Sequence, residues 1–318
     1  MKKLIIKIIG LIDILLVIPV IFSGWIFKNV RRIGFQRLPL CKKFILAIGV
    51  FPIRNHYYEP QFDFRSLERS FSQERNLPGI NLEIEEQLKF LKNFRFGTEL
   101  LDVPKEKGIG LEYYLNNNSF EEGDSEYWYQ LIRYIKPRRV IEIGSGYSTL
   151  MARKAINKNH HDDKQYVCDH ICIEPYEMPW LEEIDISVIR EKVENVDLSF
   201  FSSLKDGDIL FIDSSHVIRP EGDVIFEYLE ILPNLNKGVI VHVHDIFSPR
   251  NYPDRLLKDN ILFWNEQYLL EAFLTNNTSW KIIGSLNFLR HNYYKELKNV
   301  CPNLSSKSEP GSFYIKKL

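Results

Sequence analysis

Val140-Ile-Glu-Ile-Gly-Ser-Gly-Tyr-Ser-Thr149 is the stretch on which the fold of this chain turns. A short β-branched run passes into Gly-Ser-Gly and then into residues that open a helix, the pattern of a strand, a tight loop and a helix. Glycine there permits turn angles that side chains resist and lets a ligand approach the main chain. In open α/β sheets, ligands sit beyond the carboxyl ends of the strands where the strand order switches. The loop is therefore expected to hold a nucleotide-like cofactor. A dinucleotide fingerprint would want a third small residue, but Thr149 stands at that position. Glu142, two residues before Gly144, is a carboxylate that discourages a diphosphate and suits an ammonium or sulfonium group.

Outward from this loop the pattern alternates. Helices are expected over 127–135, 149–157, 224–232 and 262–274. Strands are expected over 139–143, 171–174, 188–193, 208–213, 238–243, 280–286 and 312–316. Short β-branched strands separated by helices specify a Rossmann-like, doubly wound, mostly parallel seven-stranded sheet with helices on both faces. The two late strands suit an antiparallel pair at one edge, with a short helix over 292–300.

Glu142-Ile-Gly144-Ser-Gly146 resembles motif I of the class I S-adenosylmethionine (SAM)-dependent methyltransferases. Further motifs follow in order: Glu174 at the end of Cys172-Ile-Glu-Pro175, Glu194 after the third strand, and Asp213 at the end of Asp208-Ile-Leu-Phe-Ile-Asp213. The resemblance implies SAM as cofactor over residues 124–318. Glu142, Gly144, Ser145 and Gly146 would form the loop around it, Tyr147 would cover it and Glu174 would accept the ribose hydroxyls. Glu194 would lie near adenine and Asp213 near the methionine end. Phe211-Ile-Asp-Ser-Ser-His216, Val241-His-Val-His-Asp-Ile246, Phe263-Trp-Asn-Glu-Gln-Tyr268 and Glu309-Pro-Gly-Ser-Phe-Tyr314 narrow the likeness. They are similar to bacterial methyltransferase-domain proteins of the family 24 type, linked with cell-surface polysaccharide or secondary-metabolite pathways.

Methyl transfer to a hydroxyl needs donor and acceptor in line and a base for the proton. His216, three residues past Asp213, is the expected base, since imidazole titrates near neutrality; His244 is an alternative. Asp213 and Asp245, at the ends of adjacent strands, could instead hold Mg²⁺ or another divalent cation that polarises the hydroxyl. Both readings stand on the sequence. Arg219, Arg250, Glu266 and Gln267 are the candidate substrate residues, and Trp264, Tyr268 and Phe273 are expected to pack on the sheet. The implied activity is O-methylation of a saccharide, a lipid-linked glycan or a related small molecule. A nicotinamide-dependent oxidoreductase and a membrane-tethered, non-catalytic SAM-binding module are the alternatives.

Ile8–Phe27 is almost wholly apolar, and as a helix its length of about 30 Å matches the hydrocarbon core of a bilayer. Asp13 costs roughly 3 kcal/mol there, and Pro19 would kink the helix. The basic residues Lys28, Arg31, Arg32, Arg37, Lys42 and Lys43 outnumber Lys2, Lys3 and Lys7. The positive-inside rule then places the catalytic part in the cytoplasm; a helix lying in the interface on anionic head groups is the other membrane reading. A signal peptide fits less well, for want of a small-x-small cleavage site. The expected organisation is a membrane-associated segment over 1–43, an accessory region over 44–123 and the catalytic domain over 124–318. A net charge of −1 offers no case for nucleic acid. The four cysteines lack zinc spacing and are expected to be reduced.

Overall fold

The computed structural model describes residues 2–54, 59–61 and 67–318, with side chains from residue 5 onward. Parts of the aromatic-rich stretch 54–80, namely 55–58 and 62–66, lie outside the described residues. Contacts divide the chain into a unit of residues 1–68 and a unit of residues 69–318.

In the first unit the apolar stretch forms one long helix, Lys2–Ile33, with Pro19 inside it and Arg31 and Arg32 in its last turn. Its segment Ile5–Ile33 reaches a mean hydropathy of 2.7, and no residue of its most apolar window is buried in the protein. A shorter helix, Pro39–Ile48, follows; proline opens it, and Gly49 closes it in the left-handed conformation.

The second unit carries a seven-stranded sheet. Its strands are β1 (Arg139–Ile143), β2 (Asp169–Ile173), β3 (Ser187–Ile189), β4 (Ile209–Ile212), β5 (Ile240–Val243), β6 (Trp280–Ser285) and β7 (Phe313–Lys317). The spatial order is β3-β2-β1-β4-β5-β7-β6. Pairs from β3 to β5 are parallel, and β7 runs antiparallel between β5 and β6. The late antiparallel pair therefore closes onto β5 through its second member. The short helix expected over 292–300 is Tyr294–Val300, and a further helix, Leu286–Asn292, precedes it.

The central strands are buried on both faces, which is why they read as continuous apolar runs rather than alternating ones. On one face lie the helices Asp124–Ile135 and Tyr147–Asp162, with Trp128, Tyr127, Met151 and Leu297 among the core residues. On the other face lie a helical run over 223–234 and the helix Glu266–Leu274, with Phe201, Tyr228, Ile231 and Leu270 in the core. Each fully buried side chain of this kind contributes about 1.5–3 kcal/mol. Residues 69–123 share this unit: Leu91, Leu100 and Val103 belong to the first core, and Gln87 Oε1 accepts from the Ser285 amide at 2.8 Å. The stretch expected as a separate accessory region up to 123 is thus divided at 68, because its later half is built into the sheet unit's core.

The order reverses between β1 and β4, whose chains continue to β2 and β5 on opposite sides. A cleft is expected at that point.

Candidate active site

Backbone pairing carries three chain segments just past the strand tips. Gly144 N donates to Ile173 O at 3.0 Å, Asp213 N to Ile143 O at 2.9 Å and His244 N to Ile212 O at 2.9 Å. Adjacent tips therefore present the glycine loop, Asp213 and His244 side by side. They open on a cleft of about 870 Å³, within the usual range for a small-molecule site.

Among the residues singled out in the sequence, Gly144, Ser145, Glu174, Glu194, Asp213, His216, Arg219, His244 and Asp245 all line this cleft. Gly144 sits at φ +77°, and a Cβ there would stand 2.0 Å from the Asp213 carbonyl oxygen. Only glycine lets the loop and the β4 tip approach so closely. Gly146 differs: its backbone is extended, with nothing nearer to a Cβ than Met178 Cε at 3.8 Å.

Several expected site residues stand elsewhere. Glu142 lies beneath the loop, wholly buried. It accepts from the Ser148 and Thr149 hydroxyls at 2.9 Å each and pairs with His170 Nε2 at 2.6 Å. Its carboxylate is spent on the first turn of the helix and on β2, so it braces the loop instead of facing a ligand. Tyr147 bonds to the Tyr114 hydroxyl at 2.8 Å, away from the cleft wall. Arg250 is drawn off to Glu74 and to the Ser72 carbonyl, both at 2.8 Å. Gln267 is buried, bonding the Phe247 amide and the Arg250 carbonyl. Glu266 is buried behind His216 and does not reach the cleft. In a single sequence nothing separates such inward carboxylates and amides from cleft-facing ones.

Trp264 reverses its expected place. The helix begins at Glu266, not Leu262, which leaves Trp264 in the preceding loop. Its ring packs against His216 with centroids 4.3 Å apart, on the cleft wall.

His216 is the most constrained side chain of the site. Its Nδ1 lies 2.7 Å from Glu266 Oε2, and its Nε2 lies 3.3 Å from Asp213 Oδ1 and 3.7 Å from Asp245 Oδ2. The His216 carbonyl accepts from the Asn265 and Glu266 amides, tying its turn to the start of the helix. His216 and Asp245 both hold positive φ, at 59° and 56°, a conformation that costs on the order of 1 kcal/mol or more and collects at functional sites. His244 Nδ1 shares Asp213 Oδ1 at 3.3 Å, and its Nε2 lies 3.8 Å from Asp124 Oδ2.

The electrostatics follow from this crowding. Burial opposes charge on His216, but Asp213, Glu266 and Asp245 outweigh it and hold the imidazole pKa well above its ordinary value. Burial likewise opposes charge on His244, and Asp213, Asp245 and Asp124 overcome it. Asp213 is driven the other way: burial raises it, yet His244 and His216 hold it below the usual carboxylate range. Asp245 is raised by burial, which the two histidines only partly offset. His242, on the same face of β5 but deeper, stays in the core, stacked on Tyr314 at 4.1 Å; burial pushes its pKa down.

A family model described as a methyltransferase domain matches residues 141–246, the span from β1 through Asp245. An uncharacterized protein of Archaeoglobus fulgidus is 32% identical over 173 residues, covering 50% of this chain and 76% of the relative. The chain belongs to the class I SAM-dependent methyltransferases. Two solved structures are also similar. An O-methyltransferase from Bacillus cereus in complex with SAH is 11% identical, covering 74% of this chain and 91% of its own, with a TM-score of 0.35. A TDP-rhamnose 3'-O-methyltransferase of calicheamicin biosynthesis is 12% identical, covering 80% and 98%, with a TM-score of 0.35. The methyltransferase-domain match over residues 141–246 carries this assignment, and it sets aside the nicotinamide oxidoreductase.

The methyltransferase cleft fits SAM on its own residues. Glu174 Oε1 accepts the Tyr176 and Glu177 amides at 3.0 and 2.9 Å, which fixes the carboxyl at the β2 tip with its other oxygen unclaimed by these bonds. The Ser145 hydroxyl is buried with no hydrogen-bond partner among the described residues. A polar ligand along the loop would satisfy it.

Residues the sequence did not flag complete the site. Asp124 accepts from the Gly311 and Ser312 amides. Tyr228 donates to Glu266 Oε1 at 3.0 Å. Arg255 lines the cleft from the start of a π-helical turn, Arg255–Asp259. Each comes from a segment distant in sequence and lacks a local motif.

Proposed function

We propose that this methyltransferase methylates a hydroxyl group of a saccharide, a lipid-linked glycan or a related polar small molecule, with His216 receiving the hydroxyl proton. The observation that carries the reading is the alignment of Glu266, His216 and the cleft. Glu266 holds Nδ1 and leaves Nε2 toward Asp213 and Asp245. Because these carboxylates favour the protonated imidazole, His216 acts as base only once it has lost that proton, so turnover should rise with pH through its raised pKa.

SAM supplies an electrophilic methyl group on a sulfonium. Glu174 is suited to the ribose hydroxyls and Gly144-Ser145 to the main body of the cofactor. Asp213 offers negative charge toward its positive end. Trp264 shields the His216 ring from water, which strengthens the polar contacts beside it. The test is methyl-labelled SAM turnover with hydroxylated small molecules and glycans. His216→Ala should lose turnover while SAH affinity stays unchanged; wild-type turnover would reject His216 as base.

A second reading uses the same residues. One ligand atom each from Asp213, His216 and Asp245 lies within 4.8 Å of the others, and a ligating histidine commonly hands its second nitrogen to a carboxylate, as His216 does to Glu266. These residues would hold a divalent cation that polarises the acceptor hydroxyl. Turnover abolished by EDTA and restored by Mg²⁺ or Mn²⁺ supports it; indifference to both removes it.

We also infer that the helix Lys2–Ile33 inserts in a membrane with its basic end on the cytoplasmic side. Its length of about 48 Å and an apolar window in which no residue is buried support this. Protein that stays soluble after expression without detergent would reject it.

A further inference from the structure

A second cleft of about 520 Å³ adjoins the first. The two are continuous, because Asn118, Ser119, His244, Asp245 and Arg255 line both. The second cleft thus opens on Asp245 and His244 as well.

Its charges divide by commitment. Asp124 is held by the Gly311 and Ser312 amides. Glu309 is held by His291 and Asn287, and Glu121 by the Asn118 amide. These three carboxylates are structural, and their negative charge is partly met within the protein; Glu122, on the same lining, has no side-chain bond among the described residues. Two cations on the walls are in the opposite condition. Arg255 and Lys307 are exposed, and neither has an ion pair or side-chain hydrogen bond among the described residues. Neighbouring arginines are all engaged: Arg250 with Glu74, Arg290 with Glu309, Arg219 near Asp223. Arg255 and Lys307 come from different segments, before Trp264 and in the turn 305–308, and face one cavity. Ser305 and Ser308 line it beside Lys307.

We propose that the second cleft is the acceptor subsite and that the acceptor is a phosphorylated polyhydroxy compound, its phosphate received by Arg255 and Lys307 and a hydroxyl directed toward Asp245 and His216. Two unpaired cations meeting an anion form charge-assisted hydrogen bonds, the strongest a polar cleft offers. Serine hydroxyls and the Asn118 side chain suit a hydroxylated body. This inference rests on the methyltransferase reading of the first cleft.

The test uses the full chain in detergent, loaded with SAH. Binding of glucose 1-phosphate, ribose 5-phosphate and inositol 1-phosphate is measured by calorimetry against glucose, ribose, inositol and inorganic phosphate. At least one phosphorylated compound should bind about tenfold or more tightly than its uncharged counterpart and more tightly than inorganic phosphate. Arg255→Ala with Lys307→Ala should weaken it about tenfold or more, and Arg255→Lys should restore part of the affinity. SAH affinity, measured on the same samples, should not change in Lys307→Ala, whose side chain lines only the second cleft. Equal binding of charged and uncharged compounds, or an indifferent double variant, overturns the subsite. Failure of SAH itself to bind the wild type would overturn the cofactor reading instead.

Discussion

His216 Nδ1 and Glu266 Oε2 stand 2.7 Å apart, fifty residues distant in sequence. Tyr228 holds the other Glu266 oxygen at 3.0 Å. The carboxylate is thus fixed from both sides, and it fixes the imidazole that faces the cleft.

Glu266→Gln should therefore cut kcat by about ten- to a hundredfold, the usual cost of losing an orienting partner. SAH affinity should stay within about twofold. Turnover and calorimetry on the same preparation check this, and a variant with full kcat would remove Glu266 from the positioning of His216.

Gly144→Ala should be the most damaging single methyl in the loop. The added carbon meets the Asp213 carbonyl at 2.0 Å on a backbone at φ +77°. We expect a loss of SAH binding and about 1–3 kcal/mol of stability. Gly146→Ala, with its nearest neighbour at 3.8 Å, should keep both. Thermal melts with and without SAH distinguish the two variants; equal behaviour would contradict the packing described.

Glu174→Ala should weaken SAH binding by about ten- to a hundredfold, the worth of a hydrogen bond to a charged group. Helical content should be unchanged, because the carboxylate bonds only loop amides. Unaltered affinity would move the ribose to another part of the cleft.

Glu227 is wholly buried, with one oxygen bonded to the Ser214 hydroxyl at 3.1 Å and the other unpartnered. Burial, with Glu266 and Asp223 nearby, pushes its pKa well above the ordinary carboxylate value. A carboxyl raised on folding stabilises the native state below the unfolded pKa of about 4.3, and that stability is lost as pH rises above it. Glu227→Gln should gain melting temperature over the wild type from about pH 5 upward, with the gain vanishing near pH 4. A pH-independent difference would show that Glu227 does not fold protonated.

Much of the catalytic sheet was legible in the chain. Val140–Ile143, Ile209–Ile212 and Ile240–Val243 are β-branched or apolar except for Glu142 and His242, both wholly buried, and strands buried on both faces permit little else. Asp213, His216, His244 and Asp245 were legible for a related reason: they are polar residues immediately following such strands, where the sheet's geometry leaves only the rim. Element ends were less legible. The helix expected from Leu262 starts at Glu266, because the His216 carbonyl engages the Asn265 and Glu266 amides, a contact between distant segments that carries no local signal.

Local sequence, then, determined the α/β architecture, the glycine loop, and the strand tips that carry the site. Periodicity and backbone sterics act over a few residues and can be read from them. Tertiary structure decided which side chains face the cleft. Glu142, Tyr147, Arg250, Glu266 and Gln267 are as polar as Glu174 and Arg219, yet each finds its partner inside the protein. Arg255 and Lys307, unmarked in the sequence, stand unpaired at the second cleft. Whether a charged group serves the fold or a ligand depends on what lies within hydrogen-bond reach, and that is set only when distant segments pack.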